Sequence, residues 1–117
     1  MKRSDVEGYI KEKFDVLGEQ IFPKYPKFSA FRHKKNEKWF ALLMEINASK
    51  LGFKSDEIIE VLNLKCSPDL AMILVDEQQI FKAYHMNKKN WISVNLNSKI
   101  SQKTVFDLID ESFELSK

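Results

Sequence analysis

The segment from Tyr84 to Trp91 is the densest group of potential ligand-binding side chains in this sequence of 117 residues. It reads Tyr-His-Met-Asn-Lys-Lys-Asn-Trp, so lysines, asparagines and a histidine stand between two large aromatic residues. Lysines neutralise phosphates, and asparagines bond to phosphates or to base edges. We predict a loop that contacts a polyanion. The candidates for contact are His85, Asn87, Lys88 and Lys89, with Asn87, Lys88 and Lys89 facing outward, and Tyr84, Met86 and Trp91 are motif residues that fix the fold.

A second basic group lies where the pattern predicts a turn between two strands. Its members are Arg32, His33, Lys34, Lys35 and Lys38, and Lys65 ends a later predicted strand. Cations in such a group would displace counterions from phosphates. The alternative, that turn tips simply carry solvated charge, stays open. We expect His33 on the hairpin surface and Trp39 in a structural role, and for His85 a role in fixing its own loop is equally open.

Catalytic templates are missing from the chain, which contains no GxGxxG, Walker, GxSxG or HExxH sequence. Cys66 precedes a predicted helix N-terminus that could activate a thiolate, but a packed structural thiol is the favoured interpretation. Neither histidine has a carboxylate at supporting spacing, so we predict no metal site and no cofactor. Carboxylates of the last predicted helix, Asp107, Asp110, Glu111 and Glu114, are interpreted as its solvated face. We predict no catalytic residue and no enzymatic activity.

Composition predicts one domain spanning residues 1–117, because 44% hydrophobic residues suffice for one core and 31% charged residues describe a solvated surface. The apolar run Ala41 to Met44 is far shorter than the roughly 20 residues of a membrane span. The first residues do not resemble a signal peptide, and the single Cys66 excludes an internal disulfide. We therefore expect a cytoplasmic monomer without a membrane partner.

Charge is unevenly distributed along the chain. Residues 1–19 and 107–117 together have a net charge of −4, whereas residues 20–106 have +6. This asymmetry favours a polyanion contact on the middle of the chain.

Apolar periodicity and turn residues predict the elements that position these groups. A first helix begins at a Ser4-Asp5-Val6-Glu7 capping box and carries the stripe Val6, Ile10, Phe14, Leu17 and Ile21, ending near Gly18. Three strands follow, at Phe28–His33, Lys38–Ile46 and Glu57–Cys66. Ser67 caps a short helix to about Asp76, residues Gln78 to Asn90 form a loop, Trp91–Leu96 is a fourth strand, and Ser101–Leu115 is the last helix.

The order α-β-β-β-α-β-α predicts an α+β two-layer sandwich, in which an antiparallel four-stranded sheet carries helices packed on one face. A parallel sheet is disfavoured because no helix separates the first three strands.

Four groups of residues resemble the MmcQ/YjbR family of small bacterial proteins over essentially the whole chain. They are Trp39-Phe40-Ala41, Leu62 to Cys66 with Pro68-Asp69-Leu70, the Tyr84 to Val94 run, and Leu108-Ile109-Asp110 with Ser112 to Leu115. The resemblance implies a CyaY-like (frataxin-like) fold and DNA binding through a double-wing surface. Tyr84, His85, Asn87, Lys88, Trp91 and Lys65 match its motif, and Arg32 and His33 match less specifically. An acidic iron-binding ridge is only partly present at Glu7, Glu12, Asp15 and Glu19.

The leading hypothesis is a non-enzymatic DNA-binding protein that contacts the phosphate backbone through the basic hairpin and the Tyr84–Trp91 loop. The alternatives are a protein-interaction or small-anion-binding adaptor and, third, an enzyme that uses Cys66 or His85.

Overall fold

A computed structural model describes all of residues 1–117 and shows three α-helices and a five-stranded antiparallel sheet. The α+β class is therefore confirmed, but the sheet has five strands and not the predicted four. The strand order is β1-β2-β3-β5-β4. In chain order the elements are α1 Arg3–Phe14, β1 Ser29–Arg32, β2 Trp39–Asn47, β3 Ile58–Lys65, α2 Pro68–Leu74, β4 Ile80–Lys82, β5 Trp91–Asn95 and α3 Gln102–Leu115, with a short 3-10 helix at Ala48–Leu51.

All three helices pack on one face of the sheet, as predicted. Alternate residues of the strands point to this face, because side chains alternate across a strand. The core that results joins residues of the three helices to residues of the sheet, namely Val6, Ile10, Ala71, Val105, Leu108 and Ile109 from the helices and Leu43, Leu62, Leu64, Ile92 and Val94 from the strands. None of the helices is long and apolar enough to cross a membrane.

The opposite face of the sheet is covered by connecting segments, one of which includes the short 3-10 helix, and not by α-helices. Its buried residues include Leu42, Met44, Ile59 and Val61. Side chains from three connectors pack against them: Phe22 before β1, Leu51 and Phe53 between β2 and β3, and Tyr84 and Met86 between β4 and β5. The Tyr84–Trp91 segment therefore belongs to the second layer of apolar packing.

The first helix is shorter than predicted at its C-terminal end. It begins at Arg3 because the Asp5 carboxylate accepts a hydrogen bond from the Lys2 N–H at 2.9 Å, so the Ser4–Glu7 capping box was wrong. It ends at Phe14, beyond which Asp15 is left-handed (φ 55°). The chain then runs extended, and Glu19 exchanges two backbone hydrogen bonds of 2.9 Å with Ala30 of β1.

The extended segment after α1 explains why Leu17 and Ile21 are exposed and why position 18 is a glycine. Leu17 and Ile21, predicted to continue the apolar stripe, are 67% and 40% exposed. Gly18 is needed for close packing, because a Cβ there would lie 3.1 Å from both the Phe31 ring and the Ser29 Cβ. Contact with the edge of β1 overrides the helical period.

The missed strand, β4, lies inside the segment predicted as a loop. Its residues pair with β5, Ile80 opposite Val94 and Lys82 opposite Ile92. The Asp76 Oδ1 fixes its start by accepting N–H groups of Gln78, Gln79 and Ile80 at 2.9–3.0 Å. Three residues are too few to show an alternating pattern.

The predicted Ser67 cap of α2 is confirmed, and α3 also begins at a serine cap. The Ser67 Oγ accepts from the Leu70 N–H at 3.3 Å, with Pro68 as the first residue of α2. The Ser101 Oγ accepts from the Thr104 N–H at 3.1 Å at the start of α3.

One buried hydroxyl, that of Ser112, fastens α3 to the end of the sheet. The ladder between β2 and β3 stops at the pair Ala41 and Leu64. Beyond it, the Ser112 Oγ donates to the Phe40 carbonyl and accepts from the Lys65 N–H at 2.8 Å. It thus completes the bonding of both strands where their pairing ends.

Candidate nucleic-acid interface

Both predicted basic segments lie at the same end of the sheet. The β1–β2 turn, the C-terminal end of β3 and the β4–β5 loop all meet there, because neighbouring strands are antiparallel. We call this region the basic end: residues 32–39, Lys65 and residues 84–91. At roughly 4.8 Å per strand, the turn and the loop are roughly 14 Å apart. Lys65 on β3 lies between them.

Asn36 organises the β1–β2 turn. Its Oδ1 accepts from the Lys38 N–H at 2.8 Å, and its Nδ2 donates at 3.2 Å to the carbonyl of Ser116, the residue that caps the C-terminal end of α3. The His33 carbonyl accepts from the Glu37 N–H at 2.9 Å. These bonds hold the exposed side chains of Lys34, Lys35 and Lys38 on a defined turn.

Carboxylates neutralise part of the charge of this turn. Arg32 Nη2 lies 2.7 Å from Glu19 Oε2, and Lys34 Nζ lies 2.7 Å from Asp15 Oδ2. The hydrogen bond from Lys34 lowers the pKa of the Asp15 carboxyl below its ordinary value. Glu37 lies in the same turn and is exposed. Both acidic partners come from the segment after α1, so they were not apparent from the hairpin sequence alone.

His33 is not on the hairpin surface, and that prediction was wrong. The residue is only 6% exposed, and its ring lies 4.1 Å from the ring of Phe113 and 5.2 Å from that of Phe40, between centroids. A bulge between Phe31 and Arg32 shifts the register of β1 against β2, where the strict alternation that led to the prediction fails. Burial lowers the pKa of His33 below its ordinary value of 6.5, and a hydrogen bond to the Phe113 carbonyl opposes this.

The Tyr84–Trp91 loop is anchored by its first residue to a buried pair of polar side chains. Asn63 Nδ2 donates to the Tyr84 carbonyl at 2.8 Å, and the Tyr84 N–H donates to Ser93 Oγ at 2.8 Å. The Ser93 hydroxyl in turn donates to Asn63 Oδ1, so the bonds close a ring. Asn63 and Ser93 are opposite each other on β3 and β5, and both are fully buried.

Asn87 shapes the loop from within. Its Oδ1 accepts from the N–H groups of Lys89 and Asn90 at 2.7 and 3.3 Å, and its carbonyl accepts from the Trp91 N–H at 3.0 Å. Asn87 is exposed, while its side-chain Oδ1 is engaged by the backbone of the loop. Asn90 closes the loop onto β3, since its own carbonyl accepts from the Cys66 N–H at 2.8 Å.

The remaining polar side chains of the loop are exposed. His85 is left-handed (φ 63°) and its ring lies 4.0 Å from that of Tyr84. Lys88 and Lys89 take part in no ion pair. Together with Lys82 of β4 they border a groove of about 460 Å³, whose other wall is formed by α2 residues that include Met72.

Cations and indoles alternate across the basic end on the face opposite the helices. Arg32 is paired with Trp39 in the β1–β2 register, and Lys65 with Trp91 in the β3–β5 register. All four side chains are partly buried. Such a row offers both phosphate contacts and aromatic surfaces for a nucleic acid.

Cys66 is 2% exposed, and burial is the main cause that raises the pKa of its thiol. The thiol is therefore protonated at neutral pH, as expected of a buried cysteine. No group of three or more His, Cys, Asp and Glu side chains is arranged to hold a metal ion.

Sequence reasoning missed several residues that build the basic end: Asn63, Ser93, Ser112 and Lys82. The signal for Asn63 and Ser93 was present, because each is a polar residue inside an otherwise apolar strand and buried polar groups need partners. Ser112 gave no such signal, since serine is common on the surface of a helix.

The molecule is a small α+β protein in which a single layer of helices covers one face of a five-stranded sheet. The YjbR family profile matches residues 17–115, and the chain belongs to the YjbR family.

Relatives support this assignment over the full length. The chain is 35% identical over 117 residues to Uncharacterized protein YyaQ of Bacillus subtilis, covering 100% of this chain and 99% of that protein. It is 37% identical over 81 residues to Uncharacterized protein YbdF of Escherichia coli O157:H7, covering 61% and 64% of the two chains.

Solved structures agree with the fold. A crystal structure of a protein from Pseudomonas syringae matches with a TM-score of 0.97 at 39% identity, covering 100% of both chains. A Deinococcus radiodurans protein, DR2400, whose domain is described as DUF419, matches with a TM-score of 0.73 at 22% identity and covers 96% of this chain and 75% of its own. The second likeness concerns the fold alone.

Proposed function

We propose that this YjbR-family protein is a non-enzymatic DNA-binding protein of the cytoplasm that contacts the phosphate backbone through its basic end. The observation that carries the proposal is a set of lysines on rigid backbone with no carboxylate within 4.0 Å. These are Lys35 and Lys38 of the turn, Lys65 of β3, and Lys88 and Lys89 of the loop.

The spacing of these lysines suits a duplex. The turn and the loop are roughly 14 Å apart, and the major groove is about 12 Å wide. The two segments can therefore contact phosphates on both sides of one groove. Because the loops are held by Asn36 and by the Asn63–Ser93 pair, little conformational entropy is lost on binding.

The test is a salt titration with a fluorescein-labelled duplex of about 20 base pairs, measured by anisotropy between about 50 and 200 mM NaCl. Five lysines that each neutralise one phosphate give a slope of roughly −4.5 in log affinity against log salt. A shallow slope, or no binding at the lowest salt, contradicts the proposal.

A matched pair of charge reversals separates a site from net charge. Lys88→Glu with Lys89→Glu alters the basic end, whereas Lys54→Glu with Lys99→Glu makes the same change in exposed turns at the opposite end of the sheet. We expect the first double variant to lose most of the affinity and the second to lose little. Equal losses would show that only the overall charge matters.

A second candidate function is an adaptor that binds an acidic segment of another protein. It is favoured by Met72 and Ile73 of α2, which are 83% and 79% exposed beside the groove that Lys88 and Lys89 border. Met72→Ser removes the apolar contact without adding a charge beside Lys88 and Lys89, so it should abolish capture of such a partner and leave DNA affinity unchanged. A partner retained by this variant contradicts the second function.

A further inference from the structure

Two indole rings lie on either side of a lysine at the basic end, on the sheet face opposite the helices. Trp91 on β5 is opposite Lys65 in the β3–β5 register, and Trp39 lies on β2, the other neighbour of β3. Trp39 and Lys65 are two residues and one residue beyond the last β2–β3 pair, Ala41 and Leu64, so the three side chains lie at nearly the same level. At roughly 4.8 Å per strand, the two indoles are roughly 10 Å apart.

Both indoles are partly buried, yet other rings and cations of the chain leave them largely free. Trp91 belongs to neither apolar cluster of the core and contacts no other aromatic ring. Trp39 meets one ring, that of Phe22, with the planes 78° apart, so an aromatic neighbour covers at most one of its faces. No lysine or arginine lies over either indole.

The indole N–H groups are also unused. They donate to no group of the chain, and the only buried side-chain nitrogen without a partner is that of His33, so both indole nitrogens reach solvent. Tyr84 covers Asn63 and Ser93 on the same sheet face. Lys65 and Trp91 are the next residues of β3 and β5 on that face toward the basic end, so they lie where the cover by Tyr84 ends.

This arrangement suits a strand of nucleic acid whose bases are unpaired. Aromatic side chains bind bases by stacking, and the contact tolerates any sequence because every base has a flat face. In a duplex, neighbouring bases about 3.4 Å away along each strand already cover both faces of a base. Two bases that stack on rings roughly 10 Å apart must therefore be separated from each other. Lys65, between the rings, is placed for the phosphate of the backbone that joins them.

We propose that the basic end binds single-stranded DNA, with one base stacked on Trp91, a second on Trp39, and a backbone phosphate between them on Lys65. The inference rests on the proposed function and names the form of DNA that the same surface recognises by more than charge. The lysines of the turn and of the loop contact phosphates in either form, whereas the indoles contact unpaired bases only.

Two labelled strands of equal charge test the stacking on the unchanged chain. One has about 12 thymidines, and the other has the same number of abasic tetrahydrofuran residues, which keep every phosphate and lack every base. Anisotropy titrations at about 50 mM NaCl give the dissociation constants. We expect the thymidine strand to bind at least roughly tenfold more tightly, since one stacked base is worth about that factor.

The outcomes separate this inference from the proposed function. Equal affinities for the two strands, together with salt-dependent binding of a duplex, overturn the stacking and leave the phosphate contacts standing. Absence of binding by both strands and by the duplex contradicts the proposed function and this inference together.

Tryptophan emission reports the contact directly, because the only two tryptophans of the chain are the two indoles of this row. Stacking on a base quenches indole emission, so the unlabelled thymidine strand should lower it and the abasic strand should not. Emission that saturating thymidine strand leaves unchanged overturns the proposal, whatever the variants show.

A variant and its matched control assign the rings. Trp91→Leu should weaken the thymidine strand roughly tenfold and leave the abasic strand unchanged. Its remaining emission comes from Trp39 alone and should still be quenched at saturation. Tyr25→Leu removes another exposed ring, which stacks on Phe28 just before β1 at the opposite end of the sheet, and should change neither affinity.

The lysine is tested in the same two titrations. Lys65→Gln should weaken both strands alike, because both keep their phosphates. Equal losses for the two strands in Trp91→Leu, or Trp39 emission that is not quenched in that variant, contradict the arrangement of two stacked bases.

Discussion

The two basic loops are built alike and differ in how their charge is compensated. Each is folded around an asparagine whose Oδ1 accepts the N–H two residues later, Asn36 from Lys38 and Asn87 from Lys89. In the β1–β2 turn, Asp15 and Glu19 pair with Lys34 and Arg32. The Tyr84–Trp91 loop has no acidic residue and no ion pair.

The loops also differ in their anchors. The turn is held by a partly buried contact from Asn36 to the end of α3, whereas the Tyr84–Trp91 loop is held by the fully buried Asn63–Ser93 pair. The comparison shows that similar local sequences can give one loop with a buried anchor and free cations and one turn in which two of the four cations, Arg32 and Lys34, are neutralised. The first has the properties of a binding element.

The largest expected effect is on stability, from the anchors. Asn63→Leu leaves the Tyr84 carbonyl without its donor and the Ser93 hydroxyl proton without its acceptor in the core, and should lower the free energy of unfolding by roughly 3 kcal/mol. Asn36→Ala removes one exposed and one partly buried bond and should cost roughly 1 kcal/mol. Urea denaturation measures both. Equal losses would mean that the buried ring is not the stronger anchor.

The next effect is on DNA affinity. Lys88→Gln with Lys89→Gln should weaken binding roughly tenfold at low salt, because both cations are free. Lys34→Gln with Lys35→Gln should weaken it roughly threefold, because Asp15 already neutralises one of the pair. Anisotropy titrations of the same duplex give both values. The reverse order would show that the turn is the main contact.

Releasing the paired cations should make the turn resemble the loop. Asp15→Asn with Glu19→Gln frees Lys34 and Arg32, so we expect DNA affinity to rise roughly threefold and the salt slope to steepen. Asp110 pairs with Lys13 at 2.7 Å and Asp107 with Lys103 at 2.8 Å, both away from the turn, so Asp107→Asn with Asp110→Asn provides a control of equal charge change. An equal gain in this control contradicts a local effect.

The smallest effect concerns the histidines of the two loops. Folding lowers the pKa of His33, so the unfolded chain takes up a proton at a higher pH than the folded chain does. The free energy of unfolding should therefore fall as the pH drops from 6.5 toward the lower pKa of the folded state. Lys117 and Lys38 add to the lowering and Glu114 opposes it. Urea midpoints at about pH 8 and about pH 5 measure the loss.

The two histidine variants provide the comparison. His33→Phe should flatten the pH dependence of the urea midpoint in this range, whereas His85→Phe, at an exposed position, should leave it as in the parent chain. A wild-type dependence retained by His33→Phe would assign the effect to another group.

Much of the fold could be predicted because local signals agreed with tertiary packing. Ser67-Pro68-Asp69 gave the start of α2, and the period of Val105, Leu108 and Ile109 gave α3. The failures came from contacts between distant residues. Glu19 pairs with β1 and so ends the helical period early, and β4 is too short to show alternation without its partner β5.

The candidate site was predicted only in part for the same reason. The lysines were visible in the sequence, but whether each is free or paired depends on carboxylates that lie 13 and 19 residues away, as Glu19 does from Arg32 and Asp15 from Lys34. The burial of His33 depends on a bulge and on Phe113, which is distant in the chain. Neither follows from residue type and spacing.

The extension after α1 also affects how the molecule meets its own copies. An open sheet edge is a template for adding strands from other chains. At one edge Glu19 already forms backbone hydrogen bonds with Ala30 of β1. At the other edge β4 has only three residues, one of which is the exposed Lys82. Strand addition is thus hindered at both edges. A small domain can therefore present a basic, aromatic surface without pairing its sheet with the sheet of another copy.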